Sequence, residues 1–330
     1  MIFVDDGSTD DSASLLRRDV DGWRSCLLQQ GNQGSSAARN NALGHLAVNG
    51  REREGFIMFL DADDMLAPNA LSTAVGKMLT GGLDELFFTG ASLFESEVLR
   101  EQFSNYMTYY ERNNSYEGVY SGPEFMSAIW AAGDFRPSPC MQMLRASFLF
   151  DNGISFEEGI IHEDNLFTWR CLLEAKRVAY LDEHLYLRRV REGSTMTKPT
   201  RAENALGYFR CGMRTFDYSL EVGQLASQQR DPFLAAADLW FSSATDHWQG
   251  FDDDERRRTM DLLPARDLFA FHELVVRRAE VRRDRDEAVR LASESAFAAG
   301  EQAEHERVLK SPSFRLGRFL SAPVRKLIGR

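Results

Sequence analysis

Five apolar residues, Phe56-Ile57-Met58-Phe59-Leu60, end abruptly on Asp61-Ala62-Asp63-Asp64. A strand that is apolar on both faces must be covered on both faces, which is the situation of a parallel sheet clothed in helices. The same pattern recurs more weakly at Ile2-Phe3-Val4, which runs into Asp5-Asp6, at Cys26-Leu27-Leu28 and at Leu86-Phe87-Phe88-Thr89. Helical patterns fall between these runs, from Ser35 to about Val48 and from Pro68 to about Leu79. The alternation predicts an α/β fold: a mainly parallel sheet with helices on both faces, followed by an α-helical C-terminal region. In such sheets ligands bind beyond the carboxyl ends of the strands, where Asp5-Asp6 and Asp61 to Asp64 stand.

The pattern divides the chain into residues 1–200, the α/β part, then 201–276, a helical domain rich in aromatics, and 277–330, a charged helix with a basic amphipathic tail. Leu274, Val281 and Ala288 fall seven apart, with Arg278 and Arg285 between, so pairing of that helix into a homo-oligomer stays open. The tail from 311 to 330 holds five cations and no acid, a pattern suited to peripheral contact with an anionic membrane. The net charge of −11 argues against a phosphate-backbone grip on nucleic acid. Four scattered cysteines make neither a metal motif nor a disulfide framework, which fits a cytoplasmic setting. No apolar run reaches the length of a membrane span.

Two acidic clusters at strand ends suit a hard divalent cation, Mg2+ or Mn2+, that leaves coordination positions for phosphate oxygens. Neither cluster has the glycine and terminal glutamate of an EF-hand loop. His162-Glu163 lacks the second histidine of a zinc helix. A solvated turn is the plainer reading of Asp61-Ala-Asp63-Asp64 taken alone, and helix capping that of Glu163-Asp164.

Taken in order, Val4-Asp-Asp-Gly-Ser-Thr-Asp10, Gly31-Asn-Gln-Gly34 with Ala38-Arg39-Asn40, Phe59-Leu-Asp-Ala-Asp-Asp64 and Glu163-Asp164 resemble the motif set of family 2 glycosyltransferases of the GT-A fold. The resemblance covers about residues 1–200. It implies that Asp6 accepts a hydrogen bond from a nucleotide base with Asp5 in support, that Asp61 meets the ribose, and that Asp63 ligates the metal. Arg39 resembles a cation that holds nucleotide or phosphate. Asp164 resembles the catalytic base of an inverting reaction. Tyr186, Arg188, Arg189, Gly193 and Ser194 match a segment that forms a loop closing on the donor diphosphate; a basic strand edge is the plainer reading.

The function so implied is metal-dependent, inverting transfer of a sugar from a nucleotide-sugar, UDP-linked by expectation, to a cell-envelope or exopolysaccharide acceptor, glycan or lipid-linked. Members of this family open with a further strand and helix, so the resemblance implies a domain lacking its N-terminal strand, aggregation-prone or inactive if it begins at Met1. The competing reading is a truncated, non-catalytic remnant that binds a nucleotide-sugar or a partner. A sugar-phosphate nucleotidyltransferase is disfavoured, since no Gly-rich phosphate loop opens the chain.

Overall fold

The computed structural model describes residues 1–19, 25–48, 54–192 and 202–298. Gly193, Ser194 and the basic tail at 311–330 lie outside the described residues, and with them the expected roles of Ser194 and of a membrane-binding tail. The chain divides into two compact units. The first comprises Met1–Ser127, Arg136–Pro199 and Ala226–Pro232, and the second Ala128–Phe135, Thr200–Leu225 and Phe233–Arg330.

The first unit opens with β1 (Ile2–Asp5), α1 (Ser12–Asp19), β2 (Cys26–Gln29) and α2 (Ser35–Val48). There follow β3 (Phe56–Met58), β4 (Met65–Leu66), α3 (Ala70–Gly81), β5 (Glu85–Phe94) and α4 (Glu97–Gln102). After α5 (Gly122–Ala131), which belongs to this unit through Ser127, come β6 (Gln142–Arg145), α6 (Ala146–Asp151), α7 (Glu163–Glu174) and β7 (Val178–Val190). Strands β1 and β2 pair in parallel as a sheet of two, and the other five form a sheet in the order β3-β6-β5-β7-β4.

The α/β class and the helical C-terminal region agree with the sequence reading, but the larger sheet is mixed rather than mainly parallel. Its only parallel pairing among the described residues is β5 with β7; β6 runs antiparallel to both β3 and β5, and β4 antiparallel to β7. The antiparallel members are those with four and two residues, Gln142-Met-Leu-Arg145 and Met65-Leu66, too short to leave a periodic signature.

The core is built on β5, where Leu86, Phe87 and Phe88 are at most 1% exposed. Phe87 stacks on Phe125 of α5 with ring centroids 5.4 Å apart. Gly122, the first residue of α5, admits nothing larger: an added Cβ would lie 1.9 Å from the Leu172 carbonyl oxygen of α7. The Gly122 amide donates to the Ala175 carbonyl at 2.8 Å, so α7 is fixed against the core at its C-terminal end.

The second unit contains α8 (Ala202–Val222), α9 (Ser227–Gln249) from Phe233 onward, α10 (Asp253–Asp261), α11 (Ala265–Phe271), a π-helical turn (His272–Val276) and α12 (Arg277–Ala298). Its core gathers Leu206, Phe209, Ala244, Leu263, Phe271 and Val275, with Phe241 and Trp248 packed around them. Trp240 is fully buried and donates its indole N–H to Thr215 Oγ1 at 3.1 Å. Among the described residues no helix is long and apolar enough to cross a membrane.

Candidate active site

Strand β1 ends on Asp5, buried, whose carboxylate accepts the Ser8 amide at 3.0 Å and Gln29 Nε2 at 3.1 Å. These hydrogen bonds, Ser8 foremost, hold its pKa below the ordinary value. The Asp6 carboxylate accepts Gln30 Nε2 at 2.9 Å, the Gln33 amide at 2.9 Å and the Gly34 amide at 2.7 Å. Burial works against the Asp6 charge, yet these donors outweigh it and its pKa also lies below normal. Between the acid pair and the Gly31–Gly34 loop the backbone must turn tightly. Gly7 does so at φ 81°, and a Cβ there would meet the Asn32 nitrogen at 2.8 Å. The two motifs are therefore one locked structure that delivers the chain to the start of α2.

Arg39 of α2 is the hub of a second cluster. Its Nη2 donates to Asp61 Oδ1 at 2.8 Å and its Nη1 to Glu163 Oε1 at 3.2 Å. Ser35 Oγ adds a hydrogen bond of 3.0 Å to the same Glu163 oxygen. The guanidinium lies over the Phe156 ring, 5.2 Å from its centroid, and is 14% exposed. Burial alone would weaken its charge, but Asp61 and Glu163 raise its pKa above normal.

The three acids after β3 have three different surroundings. Asp64 is buried, accepting a short hydrogen bond from the Tyr186 hydroxyl and the Arg189 amide at 2.7 Å, with Arg188 Nε 3.7 Å away. Burial raises its pKa. Asp61 lies between Arg39 and Arg188, whose Nη1 is 4.0 Å from Oδ2. Asp63 is the most open, 39% exposed, and pairs with Arg191 Nε at 2.9 Å.

Tyr186, Arg188 and Arg189 belong to β7, so the expected closing loop is, at these positions, a strand. The reason is pairing: Met65 and Leu66 of β4 take Leu187 and Tyr186 as partners, while β5 pairs through Arg188 to Val190 on the other side. Arg188 points at Asp61 and Asp64. Arg189 donates Nε to the Asp63 carbonyl at 2.8 Å and lies 3.6 Å from Glu95. Arg188 also covers Tyr110, its guanidinium 5.8 Å from the ring centroid. That tyrosine and Asp64 are site residues the motif reading did not single out.

Glu163 and Asp164 open α7 after His162, which holds φ 72°, the one positive-φ residue other than glycine among the described residues. Left-handed backbone at a histidine is strained, and such strain gathers at functional sites. Asp164 Oδ1 accepts the Asn165 amide at 2.9 Å. Burial first, and the Glu163 charge second, push its pKa up to about 7.

Among the described residues no three histidine, cysteine or acidic side chains come together as a metal cage. Asp63 and Asp61 on one turn still suit Mg2+ or Mn2+, which bind through one or two carboxylates and fill other positions with water and substrate phosphates. The donor set therefore fits a cation that arrives with a diphosphate rather than one held permanently. In sum, the structure brings Arg39, Asp61, Asp63, Arg188 and Arg189 together and joins them to Asp164 through Glu163. Asp5 and Asp6 sit where β1 ends, and Asp6 accepts amides of the Gly31–Gly34 loop that leads into α2.

The chain is similar to several known proteins. The chain is 28% identical over 204 residues to the glycosyltransferase GlyA of Streptococcus pneumoniae, covering 59% of this chain and 27% of that protein. It is 26% identical over 199 residues to the minor teichoic acid biosynthesis protein GgaA of Bacillus subtilis, covering 58% and 40%. The chain thus matches well under half the length of either relative. The crystal structure of Staphylococcus aureus TarS 1-349 in complex with UDP-GlcNAc superposes with a TM-score of 0.55 at 20% identity, over 79% of this chain and 69% of that one, a likeness of fold. Residues 1–131 match glycosyl transferase family 2. The order of the four motifs, the α/β fold they build and these matches have one reading: residues 1–131 carry a glycosyl transferase family 2 domain.

Proposed function

We propose that the chain transfers a sugar, with inversion, from a UDP-linked donor to a glycan or lipid-linked acceptor of the cell envelope or an exopolysaccharide. The observation that carries this reading is Arg39, one guanidinium joining Asp61 of the proposed donor site to Glu163 beside the proposed base. The TarS fold holds UDP-GlcNAc in its own structure, which supports a UDP-sugar as donor. GgaA, a teichoic acid biosynthesis protein, supports a cell-envelope acceptor. Residues 1–200 carry the reaction in this proposal, and 201–276 and 277–330 serve as a helical domain and a charged extension.

Each residue has a task that its surroundings suit. Asp6 and Asp5 shape the nucleotide pocket through the Gly31–Gly34 loop; protein donors fill three of about four acceptor positions on Asp6, leaving one for a base N–H. Asp61 receives the ribose hydroxyls. Arg188 and Arg39 exchange their carboxylate partners for diphosphate oxygens, for which guanidinium groups are suited, and Arg189 keeps the Asp63 turn in place. Asp63, with Asp61 beside it, would hold Mg2+ or Mn2+, which supplies Lewis-acid stabilisation of the departing diphosphate. The acceptor oxygen attacks the anomeric carbon on the face opposite the leaving group, and its proton passes to Asp164.

Asp164→Asn tests the assignment. The amide keeps the shape but cannot take the proton, so transfer falls roughly 10²–10⁴-fold while UDP affinity by calorimetry stays within about twofold. Wild-type turnover in this variant would remove Asp164 from the base role. Equal UDP affinity with and without EDTA would remove the metal from donor binding.

A further inference from the structure

We propose that the exposed ring of Tyr109 is the platform on which a sugar ring of the acceptor stacks, the acceptor chain continuing into the cleft beside Met107. This inference rests on the functional reading above and names where its acceptor binds. Tyr109 lies between α4 and α5 in a segment unusually rich in tyrosine. Its ring meets Tyr110 edge-on at 5.0 Å and Tyr106 edge-on at 5.4 Å. Arg136 donates Nε to the Tyr109 carbonyl at 2.9 Å and holds its guanidinium 5.8 Å from the ring centroid. A side chain so braced would be expected to be buried, yet Tyr109 is 44% exposed, while its neighbour Tyr110 is 4% exposed.

The position of the ring connects it to the reaction. Tyr110 lies under Arg188, and Arg188 reaches Asp61, so the tyrosines continue the proposed donor cluster outward. Partial burial, and next the charge of Asp164, hold the Tyr109 phenol above its usual pKa. On the other side, Ser92 Oγ donates to the Tyr106 carbonyl at 2.6 Å, and Ser92 lines a cleft of about 330 Å³ with Phe94, Ser96, Glu97, Arg100 and Met107.

The chemistry selects a carbohydrate. The π face of tyrosine is negative, and the C–H bonds on one face of a pyranose are weakly positive and apolar, so the two stack while the sugar hydroxyls stay in water. The cleft mixes hydroxyl, apolar and ion-paired side chains, Glu97 and Arg100 lying 3.6 Å apart, which suits an uncharged hydroxyl-rich chain. A diphosphate finds its cations at Arg39 and Arg188 instead.

Saturation-transfer NMR on the whole chain tests this, with N,N′-diacetylchitobiose and lactose as probes, glycerol as the ring-free control, and UDP with Mn2+ present. Ring protons of at least one disaccharide should be saturated on the wild type. The signal should fall roughly fivefold or more in Tyr109→Ala, the scale of one aromatic contact, and persist in Tyr109→Phe. Unchanged saturation in Tyr109→Ala, saturation of glycerol as strong as that of the disaccharides, or none of either disaccharide on the wild type would overturn the proposal. UDP calorimetry on the same samples separates the two readings. UDP binding with saturation indifferent to Tyr109 defeats the platform alone, whereas Tyr109-dependent saturation without UDP binding supports the platform and defeats the donor reading.

Discussion

The two acidic turns of this protein look alike in sequence and are held in opposite ways. Asp5 and Asp6 are fixed by uncharged donors, the amides of Ser8, Gln33 and Gly34 and the side chains of Gln29 and Gln30. Asp61 and Asp63 are held by arginines, Arg39, Arg188 and Arg191. Backbone amides cannot leave the first pair without unmaking the turn. Arginines can leave the second pair whenever a stronger anion arrives, because a guanidinium makes the same two-pronged contact with a phosphate as with a carboxylate. The first turn is thus scaffold and the second a set of exchangeable contacts. Asp64 shows the division within a single motif: three residues after Asp61, it is tied to Tyr186 and the Arg189 amide and belongs with the scaffold.

The largest expected effect lies at the reacting end. With Asp164 near pH 7 in its titration, kcat/KM should fall below about pH 7 as the carboxylate gains its proton, and Asp164→Asn should flatten that limb as well as lower the rate. The folded chain keeps this proton up to about pH 7, whereas an unfolded aspartate releases it near pH ~4. Stability from this group is therefore present at low pH and lost as pH rises through 7, while activity rises over the same range. A pH–rate profile beside thermal melts at the same pH values checks both signs; parallel trends would break the assignment.

A smaller effect sharpens the scaffold side. Tyr186→Phe removes the hydroxyl from the buried Asp64 carboxylate, and stability should fall by about 1–3 kcal/mol in urea unfolding, with UDP affinity changed much less. Loss of affinity at unchanged stability would move Asp64 to the working side. The smallest effect is at Arg191, whose pair with Asp63 is 46% and 39% exposed on its two sides. Arg191→Ala should change stability by less than about 1 kcal/mol. A larger loss would mean that Asp63, too, is held as scaffold.

Much of this was legible in the sequence, because acids placed directly after apolar strands announce themselves. The motif acids and Arg39 stand in one unit, and α7 begins at Glu163 where the pattern placed it. What the sequence did not reveal depends on register. A two-residue strand, Met65-Leu66, decides that Tyr186 faces Asp64 and that Arg188 and Arg189 ride a strand rather than a loop, and two residues carry no period. Pairing of Gln142–Arg145 with both neighbours, which makes the sheet mixed, was hidden for the same reason. The placement of Tyr110 beneath Arg188 joins positions 78 apart and leaves no local signal.

The division between scaffold and exchangeable contacts is tested most directly by calorimetric titration of UDP, with Mn2+, into the Arg188→Gln and Asp6→Asn variants at a temperature where both are folded. Arg188→Gln deletes a contact that the diphosphate takes over, so affinity should fall roughly 10-fold or more. Asp6→Asn leaves that contact and loses at most one hydrogen bond to the base, so affinity should fall no more than about 3–10-fold while the melting temperature drops. The reverse order, with UDP binding lost in Asp6→Asn and kept in Arg188→Gln, would contradict the account.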